Sequence, residues 1–387
     1  MSFLITVMVS LGVAFALGEF FRRMGFPVMV GQILAGVLVS LPLISQHVFR
    51  NDLTDLGLIA QLGIVFLMLI AGLETDYTKL KKSSHDILIV SVLSAVLPFA
   101  LGFLLTIMLG YSYIAATVVA ACLSMTAVGT NLPALIDLKL INTKVGRLIV
   151  GSGIADDLFE ILFLSMILII AQKGGYAEVI ALPLKILGFV VLVYIIVKLI
   201  PKLINAIVQE HSESSEFMMI ILLALFIAAI STLFGLGPIV GAFAAGLMIR
   251  AIMNKTEERK MVKDLSVIGF GFVVPFFFIN IGMNFDVRLL LGYWPLMLVI
   301  ALAAIMGKLL AALLSSPFTH LDYRQSMILG WGLNSRGAVE LVIAEVARLN
   351  GIINLELYAA IVVMALVSTI LSPLVLPHYV KKYPVLS

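Results

Sequence analysis

Two adjacent aspartates, Asp156 and Asp157, lie in the middle of an apolar run from about 144 to 171. A carboxylate at mid-membrane depth costs about 3 kcal/mol unless it is protonated, paired or hydrated. Side by side, each disfavours ionisation of the other. Such a pair suits a site that alternates between holding protons and holding a cation. On a helix the two diverge by about 100°, so both can reach one cavity from different directions. Glu160 follows Asp156 by one turn and flanks the same face.

Further polar residues stand where lipid-facing ones would be apolar. Lys308, between Met306-Gly307 and Leu309-Leu310, is the lone lysine inside its span. An unpaired ammonium at that depth is disfavoured, and Asp156 is the expected partner. One polar stretch reads Thr126-Ala127-Val128-Gly129-Thr130-Asn131-Leu132-Pro133. Proline lacks a backbone donor and disfavours helix at the residue before it, which predicts a break from Ala127 to Leu132. A second stretch, Gly330-Trp331-Gly332-Leu333-Asn334-Ser335-Arg336-Gly337, predicts another. Arg336 is expected either to offset the negative ends of helices or to pair with Glu340, four residues on. Unwound backbone survives at mid-membrane only when buried in protein or lining a watery cavity.

The elements that must position these residues are membrane helices. Of 387 residues, 62% are hydrophobic and 12% charged, and the mean hydropathy is +1.16. Thirteen apolar segments run near 2–19, 27–41, 57–73, 85–109, 112–138, 144–171, 179–208, 217–234, 238–253, 264–283, 287–316, 323–348 and 356–380. The first lacks a basic lead and is read as a retained helix. Eighteen of the 25 basic residues fall in the gaps after odd-numbered spans or in the C-terminal tail, and five on the other side. The positive-inside rule then puts the N-terminus outside and the C-terminus in the cytoplasm. The net charge of +3 gives no reason to expect nucleic acid, the single Cys122 excludes a disulfide framework, and the five histidines lack metal-ligand spacing.

The chain also repeats itself. Gly31, Gly36, Gly72 and Asp76 recur 210 residues later as Gly241, Gly246, Gly282 and Asp286. Span 2 maps to span 9, an odd number of crossings away, so the copies are expected to be inverted. Inverted repeats with broken helices at matching positions build secondary transporters. Two six-helix copies around a linker span 7 account for thirteen. The offset carries Asp156 and Asp157 onto Leu366 and Val367, and Lys308 back onto Pro98. The carboxylates belong to one copy and the lysine to the other.

These marks together resemble the monovalent cation:proton antiporter-2 family, in particular its NapA-like two-aspartate sodium/proton antiporters. They are Pro27-x3-Gly31-x4-Gly36, Gly72-Leu-Glu74, Thr126-x-Val-Gly129, Gly151-x4-Asp156-Asp157, Pro238-Ile-Val-Gly241-Ala, Gly307-Lys308 and Ser335-Arg336-Gly337-x2-Glu340. The resemblance implies that Asp157 is the main cation ligand. Asp156 would exchange between Lys308 and the ion, with Thr126 lining the site. It implies a homodimer in a prokaryotic inner membrane and no cofactor. A dimerisation domain would comprise 1–76 and 216–286, and a core ion-translocation domain 84–171 and 287–380, joined by the linker 179–208. The core would carry Na+ or Li+ against H+ by an elevator-like, electrogenic movement; a K+/H+ antiporter on the same fold is the alternative. Two departures bear on selectivity: Ala127 stands where such proteins often have a second hydroxyl, and the acid after Arg336-Gly337 falls at Glu340. Enzymatic work by the aspartates, as in an intramembrane protease, would need them on different helices facing each other.

Overall fold

The computed structural model describes residues 3–41, 56–74, 85–127, 135, 138–140, 143–171, 181–207, 213–253 and 255–382; for some helical residues, Asp157 and Glu160 among them, it describes the backbone alone. The regular elements of the described residues are all helices, and these residues hold no strand. In chain order the helices are α1 (Phe3–Arg23), α2 (Val28–Ser40), α3 (Leu56–Glu74), α4 (His85–Met108), α5 (Tyr113–Ser124), α6 (Lys144–Ala171), α7 (Leu182–Ile207) and α8 (Glu213–Leu233). There follow α9 (Gly237–Ile252), α10 (Lys255–Ile268), a π-helical turn (Gly269–Val273), α11 (Val274–Met283), α12 (Arg288–Thr319), α13 (Tyr323–Gly332), α14 (Val339–Leu349) and α15 (Leu355–Lys382).

Among the described residues, six helical runs are long and apolar enough to cross a membrane: Phe3–Arg23, Leu56–Glu74, His85–Met108, Arg259–Met283, Arg288–Thr319 and Leu355–Val380. Five shorter apolar helices accompany them. The exceptions are informative. α6 carries the aspartates, and α13 and α14 flank a break, so these are polar where the others are apolar. The helix expected from 264 begins earlier, at Lys255, and its apolar run at Arg259. Its added turns are rich in Lys, Glu and Arg, which are good helix formers that hydropathy passes over.

The chain folds into two compact units. One comprises Met1–Leu11, Pro42–Thr75 and Leu164–Asn280; the other comprises Gly12–Leu41, Asp76–Phe163 and Ile281–Ser387. In the first, α3 packs on α9 at Gly72, where an added Cβ would run into Phe243 O and lie 3.1 Å from Gly246 Cα. Arg250 Nη1 donates to Leu73 O at 2.9 Å and Glu74 O at 2.6 Å, placing a cation on the carbonyl end of α3. In the second unit, Gly282 of α11 meets α2 in the same way. Its added Cβ would run into Ile33 O and lie 2.9 Å from Gly36 Cα. Ile33 and Phe243 are themselves 210 residues apart, as are Gly36 and Gly246.

The second unit holds α6 in place on both sides of Asp156. Lys144 Nζ donates to Thr319 O at 2.5 Å, on the carbonyl end of α12, and sits 3.3 Å from Asp86 at the start of α4. Leu148 and Ile149 pack with Ile328, Leu329 and Leu333 at the end of α13. Phe163 stacks on Phe99 of α4, ring centroids 5.2 Å apart. Asp156 lies between these anchors.

Candidate functional site

α5 stops at Ser124, and Met125 is extended at φ −71°, ψ 154°. The break therefore begins two residues before the expected Ala127. The reason is competition for backbone groups. Arg336 Nη1 donates to Met125 O, and Ala127 N donates to Ser335 O at 3.0 Å, so neither group serves an α-helical ladder. The remainder of the expected break, with Gly129, Thr130 and Asn131, lies outside the described residues. The second break falls where the sequence predicts it: Leu333 to Ala338 separate α13 from α14. A capping box starts α13. Asp322 Oδ1 accepts from Gln325 N at 2.7 Å, and Gln325 Oε1 accepts from Asp322 N at 3.1 Å.

Two cations meet the carbonyl end of α5. Lys308 is 0% exposed; its Nζ donates to Ser124 O and to Thr126 Oγ1, each at 2.5 Å, and lies 3.5 Å from Asp156 Oδ2. Arg336 Nη1 takes the next carbonyl, Met125 O, and Nη2 lies 3.5 Å from Ala304 O. Of the two roles expected for Arg336, this hydrogen bond performs the offsetting of helix carbonyls. Glu340 Oε1 accepts from Gly337 N at the start of α14, where a carboxylate complements the exposed amides. The Glu340 carbonyl accepts from Cys122 Sγ at 3.5 Å, tying α14 to α5.

The unwound stretch is braced on every side. Thr369 Oγ1 donates to Arg336 O at 3.0 Å, Ser372 Oγ to Trp331 O at 2.7 Å, and Asn334 Nδ2 to Ile305 O at 3.2 Å. Gly337 faces Ala127 so closely that an added Cβ would collide with the alanine methyl. The structure thus brings together Thr126, Asp156, Lys308, Asn334, Ser335 and Arg336, with Glu340 at the start of α14. Asp157 and Glu160 lie on the described backbone of α6, and their side chains lie outside the description. Sequence reasoning missed Thr369 and Ser372. Their signal was a polar Ser368-Thr369 and Ser372 in an apolar span.

The whole of this arrangement falls within a stretch that matches a known family. The family model for the transmembrane sodium/hydrogen exchanger covers residues 7–382. The chain belongs to the sodium/hydrogen exchanger family. The Na(+)/H(+) antiporter of Enterococcus hirae is 27% identical over 368 residues, covering 93% of this chain and 94% of that one. The Na(+)/H(+)-K(+) antiporter GerN of Bacillus cereus is 26% identical over 361 residues, covering 93% and 92%. The fold is also that of the sodium proton antiporter MjNhaP1 from Methanocaldococcus jannaschii, with a TM-score of 0.70 over 97% of this chain and 96% of that one, at 15% identity.

Proposed function

We propose that this protein exchanges Na+ or Li+ for H+ across a prokaryotic inner membrane, with thirteen crossings, the N-terminus outside and the C-terminus in the cytoplasm. The carrying observation is the buried Asp156–Lys308 contact at the end of α5. Membership in the exchanger family and the names of the relatives supply the substrates. Asp157 is the main cation ligand and Asp156 the exchangeable one, as in NapA-like two-aspartate antiporters. At low pH the site holds protons; at high pH it releases them and coordinates a dehydrated cation. An empty anionic site is costly to move past lipid, so the core moves readily only when loaded with ion or proton. Coupling then needs no separate gate.

Lys308 supplies the second proton, which makes exchange electrogenic. When Asp156 turns to the cation, the amine keeps Ser124 O and Thr126 Oγ1 as neighbours. Both suit the neutral amine as well: the carbonyl still takes an N–H, and the hydroxyl can turn to donate. The elevator division into a dimerisation part (1–76, 216–286), a moving core (84–171, 287–380) and a linker (179–208), in a homodimer, belongs to the same proposal. The matching contacts of Gly72 and Gly282 support its inverted repeats. K+ in place of Na+ is the second reading, favoured by the K(+) in the name of GerN and by Ala127, which offers no hydroxyl.

The test is proton movement in proteoliposomes with an imposed pH gradient, scanning Li+, Na+ and K+. Dissipation of the gradient by Na+ and Li+ is expected. A response to K+ alone selects the second reading, and no response to any of the three overturns both. A reporter fused after Ser387 should report cytoplasm; a periplasmic signal would put the span count wrong by an odd number.

A further inference from the structure

Among the described residues, the crossing leaves two side-chain oxygens that no donor uses. Ser124 O, Met125 O, Ser335 O and Arg336 O each accept a hydrogen bond. Two buried side-chain oxygens there have no hydrogen-bond partner among the described residues: Asp156 Oδ1 and Asn334 Oδ1. Asp156 Oδ1 belongs to the carboxylate already assigned to the ion. Asn334 is 0% exposed. Its amide nitrogen is committed to Ile305 O, three residues before Lys308 on α12. Its neighbour Ser335 pairs with Ala127, next to Thr126. The side chain is thus anchored through nitrogen within the crossing, with its oxygen left over. A buried acceptor without a donor is costly, and a hard cation takes just such an oxygen.

We propose that Asn334 Oδ1 is a ligand of the transported cation, contributing a neutral oxygen beside the Asp156 carboxylate. The inference rests on the exchange reading above and names a residue that reading does not need. Its chemistry differs from that of the aspartates. An amide oxygen binds an alkali cation but takes up no proton near neutral pH. Asn334 therefore tilts the competition toward the cation without adding a group that titrates. It also sets the size and charge density of the site, because one of its ligands is fixed by a backbone bond to α12.

The experiment compares wild type, Asn334→Leu and Asn334→Asp in proteoliposomes, measuring KM for Li+, Na+ and K+ at two pH values, with thermal unfolding as a check on folding. Asn334→Leu should raise KM for Na+ and Li+ about tenfold at alkaline pH, narrow the preference among the three ions, and leave Vmax within about twofold. Asn334→Asp should lower KM at alkaline pH and steepen the loss of transport as pH falls, because the new carboxylate takes up a proton. This variant is isosteric, and it decides the matter if Asn334→Leu does not fold. Unchanged KM values and ion ranking, with only Vmax or stability reduced, would show a brace for α12 and overturn the proposal. The exchange reading stands or falls separately. It fails if wild type moves no protons with any of the three cations, and survives if Asp157→Asn is inactive while both Asn334 variants keep wild-type KM.

Discussion

Two ion pairs of the second unit, each with a buried carboxylate, differ in how fully they use their hydrogen-bonding capacity. At the crossing, Asp156 is 2% exposed and meets Lys308 at 3.5 Å through one oxygen, while Oδ1 has no hydrogen-bond partner among the described residues. At the far end of α14, Glu345 is 1% exposed and takes Arg348 in two-pronged fashion, at 3.0 Å on Oε2 and 2.7 Å on Oε1. Asn284 Nδ2 adds a contact to Oε1 at 3.4 Å, and Arg348 lies 5.3 Å from the ring centre of Tyr358. The guanidinium fork matches a carboxylate and fixes it; an ammonium is a point charge that can be shared among oxygens. Lys308 shares itself three ways and holds its carboxylate most loosely. The tight pair has donors on both carboxylate oxygens. The loose one keeps an oxygen with no donor among the described residues, and its lysine has two further oxygen partners. Burial of a charge is therefore a poor guide to function by itself; the unspent hydrogen-bonding capacity is the better one.

The comparison can be broken at several points. The largest effect is expected from Asp157→Asn, which removes the carboxylate next in sequence to Asp156. Exchange should fall to background in proteoliposomes while gel filtration shows a folded protein. Robust Na+-driven proton flux in this variant would sink the site assignment. Lys308→Ala comes next. Exchange should persist weakly and lose its response to an imposed membrane potential. Stability should fall by about 3–5 kcal/mol, softened by protonation of Asp156. Wild-type stability and voltage response would make the lysine a bystander.

Arg348→Ala separates the two pairs. It should lower stability by about 3 kcal/mol, since it strands Glu345, yet leave KM and voltage response where they were. A changed voltage response would erase the distinction between structural and exchanging pairs. The smallest effect is expected from Tyr358→Phe. Its hydroxyl reaches Ile281 O at 3.4 Å and also interacts with Glu345 and Arg348, so about 1 kcal/mol should be lost, with transport unaltered. A transport defect here would mean that the far end of α14 takes part in the cycle.

Much of the site was legible in the sequence because its signals are local. Asp156 and Lys308 stand out against apolar runs, and the Leu333–Ala338 break announces itself in glycines and polar residues. The start of the other break was not legible. Nothing between Ser124 and Ala127 disfavours helix; the helix yields there because Lys308 and Arg336 arrive from elsewhere in the chain. Glu345 and Arg348 stand three apart, a spacing visible in sequence, but one that on most helices marks a solvated surface pair worth a few tenths of a kcal/mol. Their further contacts are with Asn284 and Tyr358, which no local pattern connects to them.

Composition and periodicity by themselves determined that this chain is a helical membrane protein with carboxylates and a lysine at depth, because the bilayer tests each segment for apolarity on its own. Only the tertiary structure decided which oxygens hold the lysine, which carbonyl takes Arg336, and which acceptors are left over. Those partners lie 184, 182, 152 and 211 residues apart, for Lys308 to Ser124, Thr126 and Asp156 and for Arg336 to Met125. A hydrogen bond is settled within a fraction of an ångström, whereas sequence patterns report only which face of a helix a residue occupies. The choice between a held carboxylate and an exchangeable one is made at that finer scale.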